Sequence, residues 1–288
     1  MYYGMIVIAV VMFGVENLVQ QKYQEINGSG LLAIMQKTFV GTIPGMLILL
    51  CFNGFRLECT TFTLIMAFVA AVNGVACGRF SLKALGVANL SLFSLFLMLG
   101  GMALPFCAGI LFYDEPLTLG KGICLLTVVG AMLITRIGVR KEPGTTGKKA
   151  SIYYAGIFIF NGMSGVLSKI FQAAPYEKTD SASYLVICAG FTILIAFVFL
   201  LFIRPKGTKM PLVSIGLASG STILNRIANY LLLLALLHLP ASVQYPMVTG
   251  GVMIVSTLIS YFTPKKPGIR EIAAVALSFA GIMALVLL

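Results

Sequence analysis

The chain has 288 residues, of which 59% are apolar and 10% are charged, and its mean hydropathy is +1.00. A soluble globular domain has roughly 45–50% apolar and about 25% charged residues, so this composition excludes a disordered chain, a disulfide-stapled secreted domain and an ordinary cytosolic enzyme. Twenty Lys and Arg residues against nine Asp and Glu residues give a net charge of +11. Most basic residues lie in short segments between apolar runs rather than in one patch, so we expect no nucleic-acid partner.

Apolar runs recur along the whole chain, and each is long enough to cross a hydrocarbon core of about 30 Å as a helix. The strands of a membrane β-barrel would instead alternate in polarity over about ten residues. The sequence therefore predicts an all-α polytopic membrane protein with ten transmembrane helices. The predicted spans are 2–21, 30–52, 61–82, 86–112, 118–136, 151–172, 182–203, 210–237, 241–262 and 268–288. Pro105 predicts a kink in the fourth span.

The segment 137–150 (IGVRKEPGTTGKKA) is rich in Gly and Lys and divides the chain into a first half, 1–136, and a second half, 151–288. Residues recur between the halves at a nearly constant offset of 150–152 positions. Examples are Tyr3 with Tyr154, Asn73 with Asn225, Gly100-Gly101 with Gly250-Gly251, and Pro116 with Pro267. Each half has five spans, and because five is odd, the second half must be inserted inverted relative to the first. Inverted repeats are typical of secondary transporters, with the substrate site near the midplane.

The basic residues between the predicted spans are divided unequally between the two sides of the membrane. One side holds 14 of them: Lys22, Arg79, Lys83, Arg136, Arg140, Lys141, Lys148, Lys149, Arg204, Lys206, Lys209, Lys265, Lys266 and Arg270. The other side holds three, Arg56, Lys121 and Lys178. The positive-inside rule places the richer side in the cytoplasm. We therefore expect a multi-pass protein of the plasma (inner) membrane with both termini outside the cytoplasm.

Three basic residues and one acid lie well inside predicted spans, where a charge at the bilayer centre costs about 2.5–3.5 kcal/mol on insertion scales. Glu16 and Lys37 lie roughly 8 Å and 10 Å from the cytoplasmic ends of their spans, so the two side chains can form an ion pair. That pair would either lock two helices together or form a substrate or proton site. Lys169 lies close to a span end and is expected to extend to the interface. Arg226 lies deeper and is expected to line a cavity.

Neutral polar side chains cluster in the same spans. Amides both donate and accept hydrogen bonds, which suits a zwitterionic or neutral polar solute, although each residue could equally form a helix–helix hydrogen bond. The predicted substrate site comprises Glu16, Asn17, Gln36, Lys37, Asn73, Asn161, Ser168, Asn225, Arg226, Asn229, Gln244 and Tyr245. Glu16 is also the predicted coupling residue.

The sequence contains no HExxH, GxSxG, P-loop or dinucleotide-binding motif, so we expect neither an enzyme nor a bound cofactor. The six cysteines show no CxxC spacing and His238 is the only histidine, so we expect no metal site. Glycine pairs at GxxxG spacing, Gly41–Gly45, Gly74–Gly78 and Gly216–Gly220, predict close helix packing.

Two stretches resemble a known family. They are GRFSLKALGVANLSLFSLF…LFYDEPLTLGKGICLLTVVGAMLI, in 78–134, and NRIANYLLLLALLHLPASVQYPMVTGGVMIV…PGIREIAAVALSFAGIMALVLL, in 225–288. They are similar to EamA-type members of the drug/metabolite transporter superfamily, which have an Ala-Leu pair, a Pro-Ala-Ser-like turn, an acidic loop and glycine-rich spans. Asp114-Glu115 fits the acidic loop, whereas Lys265-Lys266 departs from it in the second half, and Phe13-Gly14 stands where many members have Trp-Gly.

The resemblance implies ten helices in two inverted five-helix repeats and a carrier of small metabolites, often an exporter. The resemblance also implies cytoplasmic termini. We retain the opposite orientation, because the distribution of basic residues favours it. We expect a secondary active transporter of a small polar, zwitterionic or anionic metabolite, with the lipid bilayer, the solute and protons or another coupling ion as partners. One intramembrane acid against three bases favours a solute that carries a carboxylate. The alternatives are a proton-coupled cation or drug antiporter that uses Glu16, and a non-transporting membrane receptor or scaffold.

Overall fold

The computed structural model of the protein describes residues 1–28, 30–87, 90–134, 148–203, 210–260 and 268–288. These residues form ten α-helices. They are α1 (Tyr2–Asn27), α2 (Leu31–Phe52), α3 (Thr61–Val87), α4 (Leu90–Phe112), α5 (Leu119–Ile134), α6 (Lys148–Ala173), α7 (Ser181–Ile203), α8 (Leu212–Ala235), α9 (Ala241–Ser260) and α10 (Ile269–Leu287). The described part of the chain contains no strand. The predicted all-α class is therefore confirmed.

Six of the helices in the described residues are long and apolar enough to cross a membrane: α1, α2, α3, α6, α7 and α9. Shorter apolar helices occur within α4, α5 and α10, at Phe96–Phe112, Leu119–Ile134 and Ile272–Leu287. Helix α8 belongs to neither group, and it carries three strongly polar residues, Asn225, Arg226 and Asn229. The long apolar helices identify a membrane-embedded protein.

The helix boundaries lie within a few residues of the predicted spans except at two places. Helix α1 continues to Asn27 and α3 to Val87, so Lys22 and Arg79 lie within helices rather than in loops. Because α1 is longer than predicted, Glu16 lies about 16 Å from its carboxyl end instead of roughly 8 Å. Most of the predicted linker 137–150 lies outside the described residues, and Lys148–Ala150 open α6.

Eight helices pack into a central bundle, and α5 and α10 lie against its side. Helix α1 packs on α8 and α9, α6 packs on α3 and α4, and α2 packs on α7 and α8. Helix α3 also contacts α7, α4 contacts α9, and α5 packs mainly on α10. Buried aromatic and aliphatic side chains fill these interfaces, with Tyr184 stacked 3.9 Å from Phe171 between α6 and α7.

Both chain termini lie at the same end of the bundle. Tyr2 stacks on His238 with ring centroids 4.0 Å apart, which places the start of α1 beside the α8–α9 loop. The C-terminal Leu288 packs on Gly120 at the start of α5. At the same end the α2–α3 and α6–α7 loops meet, because Thr179 donates hydrogen bonds to the Thr63 hydroxyl. When helices alternate in direction and their number is even, the first helix begins and the last helix ends at the same end of the bundle. Both termini must therefore lie there.

The predicted role of the GxxxG pairs is confirmed at only one of three places. A Cβ atom at Gly41 would lie 2.6 Å from the Ala218 carbonyl oxygen, so this position keeps α2 close to α8. Added Cβ atoms at Gly74, Gly78, Gly216 and Gly220 would meet no described atom within 4 Å. For these four glycines the packing prediction is wrong, and Gly74 and Gly78 instead line a cavity.

Candidate functional site

Two adjoining cavities lie inside the helical bundle. The first has a volume of about 400 Å³ and lies among α1, α4, α6, α8 and α9. Its polar lining consists of Asn17, Asn161, Ser164, Ser168, Asn225, Asn229, Gln244, Tyr245 and Thr249. The second has a volume of about 340 Å³ and lies among α2, α3, α6, α7 and α8. Its polar lining consists of Thr38, Ser164, Ser168, Tyr184, Cys188, Thr192, Asn225, Arg226 and Asn229.

The wall between the cavities is shared. Ser164, Ser168, Leu185, Asn225 and Asn229 line both of them. Four of these five side chains are polar, so hydrogen-bonding groups border both cavities at this wall. Helices α6 and α8 supply all four.

A chain of hydrogen bonds connects Glu16 to this shared wall. Asn225 donates from Nδ2 to the Glu16 carboxylate at 3.0 Å. Asn229, one turn further along α8, donates to both the backbone oxygen and Oδ1 of Asn225, at 2.8 Å and 3.0 Å. The carboxylate can only accept, so the orientation of each amide follows from its partner. Asn229 lines both cavities, and no described group donates a hydrogen bond to its Oδ1.

Lys37 and Glu16 do not form the direct ion pair that the sequence allowed. Lys37 donates from Nζ to Gln20 Oε1 at 2.9 Å and lies 6.0 Å from the centroid of the Tyr23 ring. In the part of the chain that the structure describes, one pair of opposite charges lies within 4.0 Å, and it involves neither residue. The greater depth of Glu16 on α1 accounts for the difference, since Lys37 lies only about 9 Å from the start of α2.

Arg226 lies in the middle of α8, about 21 Å from its first residue and about 14 Å from its last. Its Nε is buried and has no hydrogen-bond partner, and no described residue accepts a hydrogen bond from the rest of its guanidinium. The Glu16 carboxylate interacts with Arg226 and with Lys37 electrostatically, without direct contact. Arg226 therefore carries an unpaired positive charge on the wall of the second cavity.

The remaining polar residues of the predicted site tie helices together around the cavities. Asn73 on α3 donates to the Phe160 carbonyl and to the Ser164 hydroxyl of α6, both at 2.9 Å. Tyr245 on α9 donates to the Gly165 carbonyl at 3.0 Å. Asn161 donates to the Leu97 carbonyl of α4 at 2.6 Å. These bonds fix α6 against three neighbouring helices.

Among the described residues, Gln244 is the one amide with a buried side-chain atom that has no hydrogen-bond partner. Its Nε2 donates to the Leu232 carbonyl at 3.0 Å, while its Oε1 has no partner. The side chain is 1% exposed. Burying an amide oxygen without a hydrogen-bond partner destabilises a fold. Gln244 has such an oxygen, and the residue lines the first cavity.

The structure places most of the predicted site residues on the cavities. Eight of them line one or both, namely Asn17, Asn161, Ser168, Asn225, Arg226, Asn229, Gln244 and Tyr245. Four do not: Glu16, Gln36, Lys37 and Asn73. Glu16 and Asn73 nevertheless bond directly to lining residues. Gln36 has no described hydrogen bond, and Lys37 reaches Gln20 rather than a cavity.

Glu115 and Lys169 form an ion pair that the sequence analysis missed. Lys169 Nζ lies 2.7 Å from Glu115 Oε1, and the two side chains are 12% and 7% exposed. Lys169, near the carboxyl end of α6, therefore ends on the carboxylate of a loop residue. Glu115 stood in the acidic loop between the fourth and fifth spans, but nothing in the sequence linked it to Lys169.

The Glu115 carboxylate also caps the start of α9. It accepts hydrogen bonds from the backbone N–H groups of Ala241 and Ser242 at 2.8 Å, and from the Ser242 hydroxyl at 2.5 Å. Burial by itself would raise the pKa of Glu115, but Lys169 and the bonds from Ser242 and Ala241 outweigh it. The pKa of Glu115 consequently lies below its ordinary value of 4.5.

The Lys169–Glu115 pair changes the charge balance inside the bundle. With Lys169 neutralised, the ionisable residues near the cavities are Glu16, Lys37 and Arg226. One carboxylate against two cations leaves a single positive charge instead of the two expected from the sequence. The described residues include no group of three or more His, Cys, Asp and Glu side chains that could hold a metal ion.

No protein-family model matches the sequence, and no curated protein matches it. Twenty-nine chains of solved structures do match. One of them, described only as the crystal structure of a protein, aligns over 97% of this chain and 94% of its own length. The TM-score is 0.75 and the sequence identity is 15%. At this identity the likeness shows a shared fold over nearly the whole chain and carries no activity with it.

Proposed function

We propose that the protein is a secondary active transporter that moves a small polar, zwitterionic or anionic metabolite across the plasma membrane by alternating access, as an exporter. The observation that carries the proposal is the pair of adjoining cavities inside an apolar bundle, because polar side chains form part of the wall of each. A purely structural bundle would fill this space with apolar side chains, because a buried polar group without a partner is destabilising.

The size and chemistry of the cavities fit a small solute. Ligand sites commonly have volumes of about 300–1,000 Å³, and the two cavities measure about 400 Å³ and 340 Å³. Amides and hydroxyls line both, and a single arginine is the lone cation in either lining. A lipophilic cation would find apolar wall area in both cavities, but it would meet the repelling charge of Arg226 in the second.

The helix contacts support an EamA-like arrangement of two inverted five-helix repeats. If each helix of the first half is exchanged with the helix five places later, α1–α8 becomes α6–α3, and both pairs are in contact. In the same way α4–α6 corresponds to α9–α1, and α2–α8 to α7–α3. The pairs α2–α7, α4–α9 and α5–α10 each map onto themselves. A two-fold relation between the halves requires this pattern.

Glu16 is the proposed coupling residue. It is linked to the shared cavity wall through a single amide, Asn225, so protonation of the carboxylate would be felt by a residue that contacts the solute. Of the two proposals that Glu16 supports, coupled metabolite export is favoured over proton-driven cation export, because Arg226 lies in the second cavity.

The test is a transport assay in proteoliposomes with a panel of amino acids, organic anions and quaternary ammonium compounds. The variant Asn229→Ala removes two hydrogen bonds at the shared wall, and Asn27→Ala removes two hydrogen bonds outside both cavities. We expect movement of an amino acid or organic anion that Asn229→Ala reduces and Asn27→Ala leaves unchanged.

Proton-coupled movement of quaternary ammonium compounds alone would replace the proposal with the cation antiporter. Folded protein that moves no solute of the panel would favour a receptor or scaffold.

A further inference from the structure

The second cavity contains a charge that the rest of the molecule does not balance. A guanidinium has five N–H donors and remains charged at any physiological pH. The Nε of Arg226 is buried without a partner, and among the described residues no oxygen accepts from the other nitrogens. Arg226 lines the cavity, so the space next to it is open to a ligand.

The nearest acid does not neutralise this arginine. Glu16 accepts its hydrogen bond from Asn225 and lies farther than 4.0 Å from the Arg226 nitrogens. The same carboxylate also interacts with Lys37. One carboxylate is therefore shared between two cations, and a charge of about one unit is left beside the cavity. A buried charge normally has a paired opposite charge.

Helix α2 leaves room for the stem of Arg226. A Cβ atom at Gly45 on α2 would lie 3.0 Å from Arg226 Cγ. The absence of a side chain at Gly45 thus lets the arginine stem pass close to the α2 backbone. The planar guanidinium can form two parallel hydrogen bonds to a planar anion.

We propose that Arg226 binds the carboxylate of the transported solute in the second cavity. The inference rests on the proposed transport function for the origin of the solute, and it names the group that the site recognises. A carboxylate carries one negative charge, which matches the single uncompensated charge better than a phosphate dianion does.

A second contact extends the recognition to amino acids. Oδ1 of Asn229 lies on the same face of α8, three residues after Arg226, and no described group donates to it. An ammonium or hydroxyl on the solute can donate to this oxygen while the carboxylate binds Arg226. Both residues line the second cavity, so one zwitterionic solute can use the free acceptor and the free donors together.

The first experiment measures binding without transport. The full-length protein, purified in detergent, is heated with small carboxylic acids and amino acids, each compared with its own primary amide, and with inorganic phosphate. We expect the acids to raise the unfolding temperature and the amides and phosphate to leave it unchanged. For a stabilising acid, Arg226→Gln should weaken binding by about 10- to 100-fold and remove the preference over the amide.

Two further variants control this result. Arg56→Gln removes the same charge from an exposed loop residue outside both cavities and should bind like the wild type. Arg226→Lys keeps the charge without the planar fork and should bind the acids with intermediate affinity. Because the arginine has no partner in the empty protein, Arg226→Gln should unfold no earlier than the wild type when no solute is added.

Two outcomes would overturn the inference. One is a preference for acids over amides that survives in Arg226→Gln. The other is stabilisation by phosphate or by amides with no effect of the acids. Carboxylate binding through Arg226 with no transport in proteoliposomes would leave the inference standing and reject the proposed function. If Arg226→Gln does not change the transport of a solute, the proposed function stands and the inference about Arg226 is rejected.

Discussion

Two groups of charged residues in this bundle are built in opposite ways. In the Glu115 cluster, formed by Glu115, Lys169, Ala241 and Ser242, the carboxylate has one ion pair and three hydrogen bonds. In the Arg226 cluster, formed by Glu16, Lys37, Asn225 and Arg226, the carboxylate has one hydrogen bond and the arginine has no described partner.

The difference separates a structural role from a binding role. The Glu115 cluster joins the α4–α5 loop to α6 and α9, and its charges are satisfied within the protein. The Arg226 cluster lies beside the cavities and leaves hydrogen-bonding capacity unused. Stable proteins rarely keep unused buried donors unless a ligand completes them. Four experiments can break or sharpen this comparison, beginning with the largest expected effect on stability.

The first concerns Glu115→Gln, which should destabilise the protein by about 3–5 kcal/mol, because Lys169 is left buried and unpaired. The measurement is thermal or denaturant unfolding in detergent. The double variant Glu115→Gln with Lys169→Gln should recover much of the loss. Asp114→Asn is the matched control, since Asp114 is the adjacent acid and is exposed. If Glu115→Gln destabilises the protein no more than Asp114→Asn does, the cluster contributes nothing to stability.

The second concerns Glu16→Gln, which should change stability by no more than about 1 kcal/mol, because the amide can still accept from Asn225 and Lys37 keeps Gln20. It should nevertheless abolish accumulation driven by an ion gradient, since the residue can no longer bind and release a proton. Glu25→Gln, an exposed change on the same helix, should transport normally. Full accumulation by a stable Glu16→Gln protein would reject the coupling role.

The third uses pH. The folded-state pKa of Glu115 lies below its ordinary value of 4.5, so on acidification the unfolded chain binds this proton before the folded protein does. The cluster therefore stabilises the fold fully above about pH 5 and loses that contribution as the pH falls through the folded-state pKa. The gap in unfolding temperature between wild type and Glu115→Gln should be constant near neutral pH and should narrow in acid. A gap that widens in acid would contradict the assignment.

The fourth experiment determines the orientation of the protein in the membrane, and its substitutions should leave stability unchanged. Cys59 lies in the exposed α2–α3 loop, at the same end as both termini, and Thr145 lies in the basic central segment. With the other cysteines replaced by Ala or Ser, Cys59 should react in intact cells with a membrane-impermeant thiol reagent. In a protein whose single cysteine is introduced at Thr145, that cysteine should resist the reagent. The opposite pattern would place the termini in the cytoplasm.

The sequence predicted the helices better than it predicted their partners. Apolar run length is a local property, so nearly every helix boundary lies within a few residues of its predicted position. The end of α1 is the informative exception. The polar residues that follow position 20 marked the end of an apolar span, but the helix continues to Asn27 with Tyr23 buried against the Ala33 carbonyl. Glu16 is therefore deeper than the pattern indicated.

The same limit applies to the candidate site. The polar residue types that line the cavities could be recognised from their occurrence in apolar spans, as for Asn229 and Tyr245. The partners could not be recognised. Glu16 and Lys37 have suitable charges and similar predicted depths, yet each bonds to a neutral amide instead. Which charges meet depends on the rotation of each helix about its axis.

The sequence by itself determined that this is a helical, membrane-embedded chain, because the free energy of burying apolar side chains depends on composition and length. Only the tertiary structure decided which charges are paired. Glu115 and Ser242 are separated by 127 positions in the chain but lie in contact, and the same carboxylate neutralises Lys169. Arg226 remains without a partner because α1 places Glu16 against Asn225. Electrostatic pairing depends on distances between helices, and those distances are set by packing along their whole length.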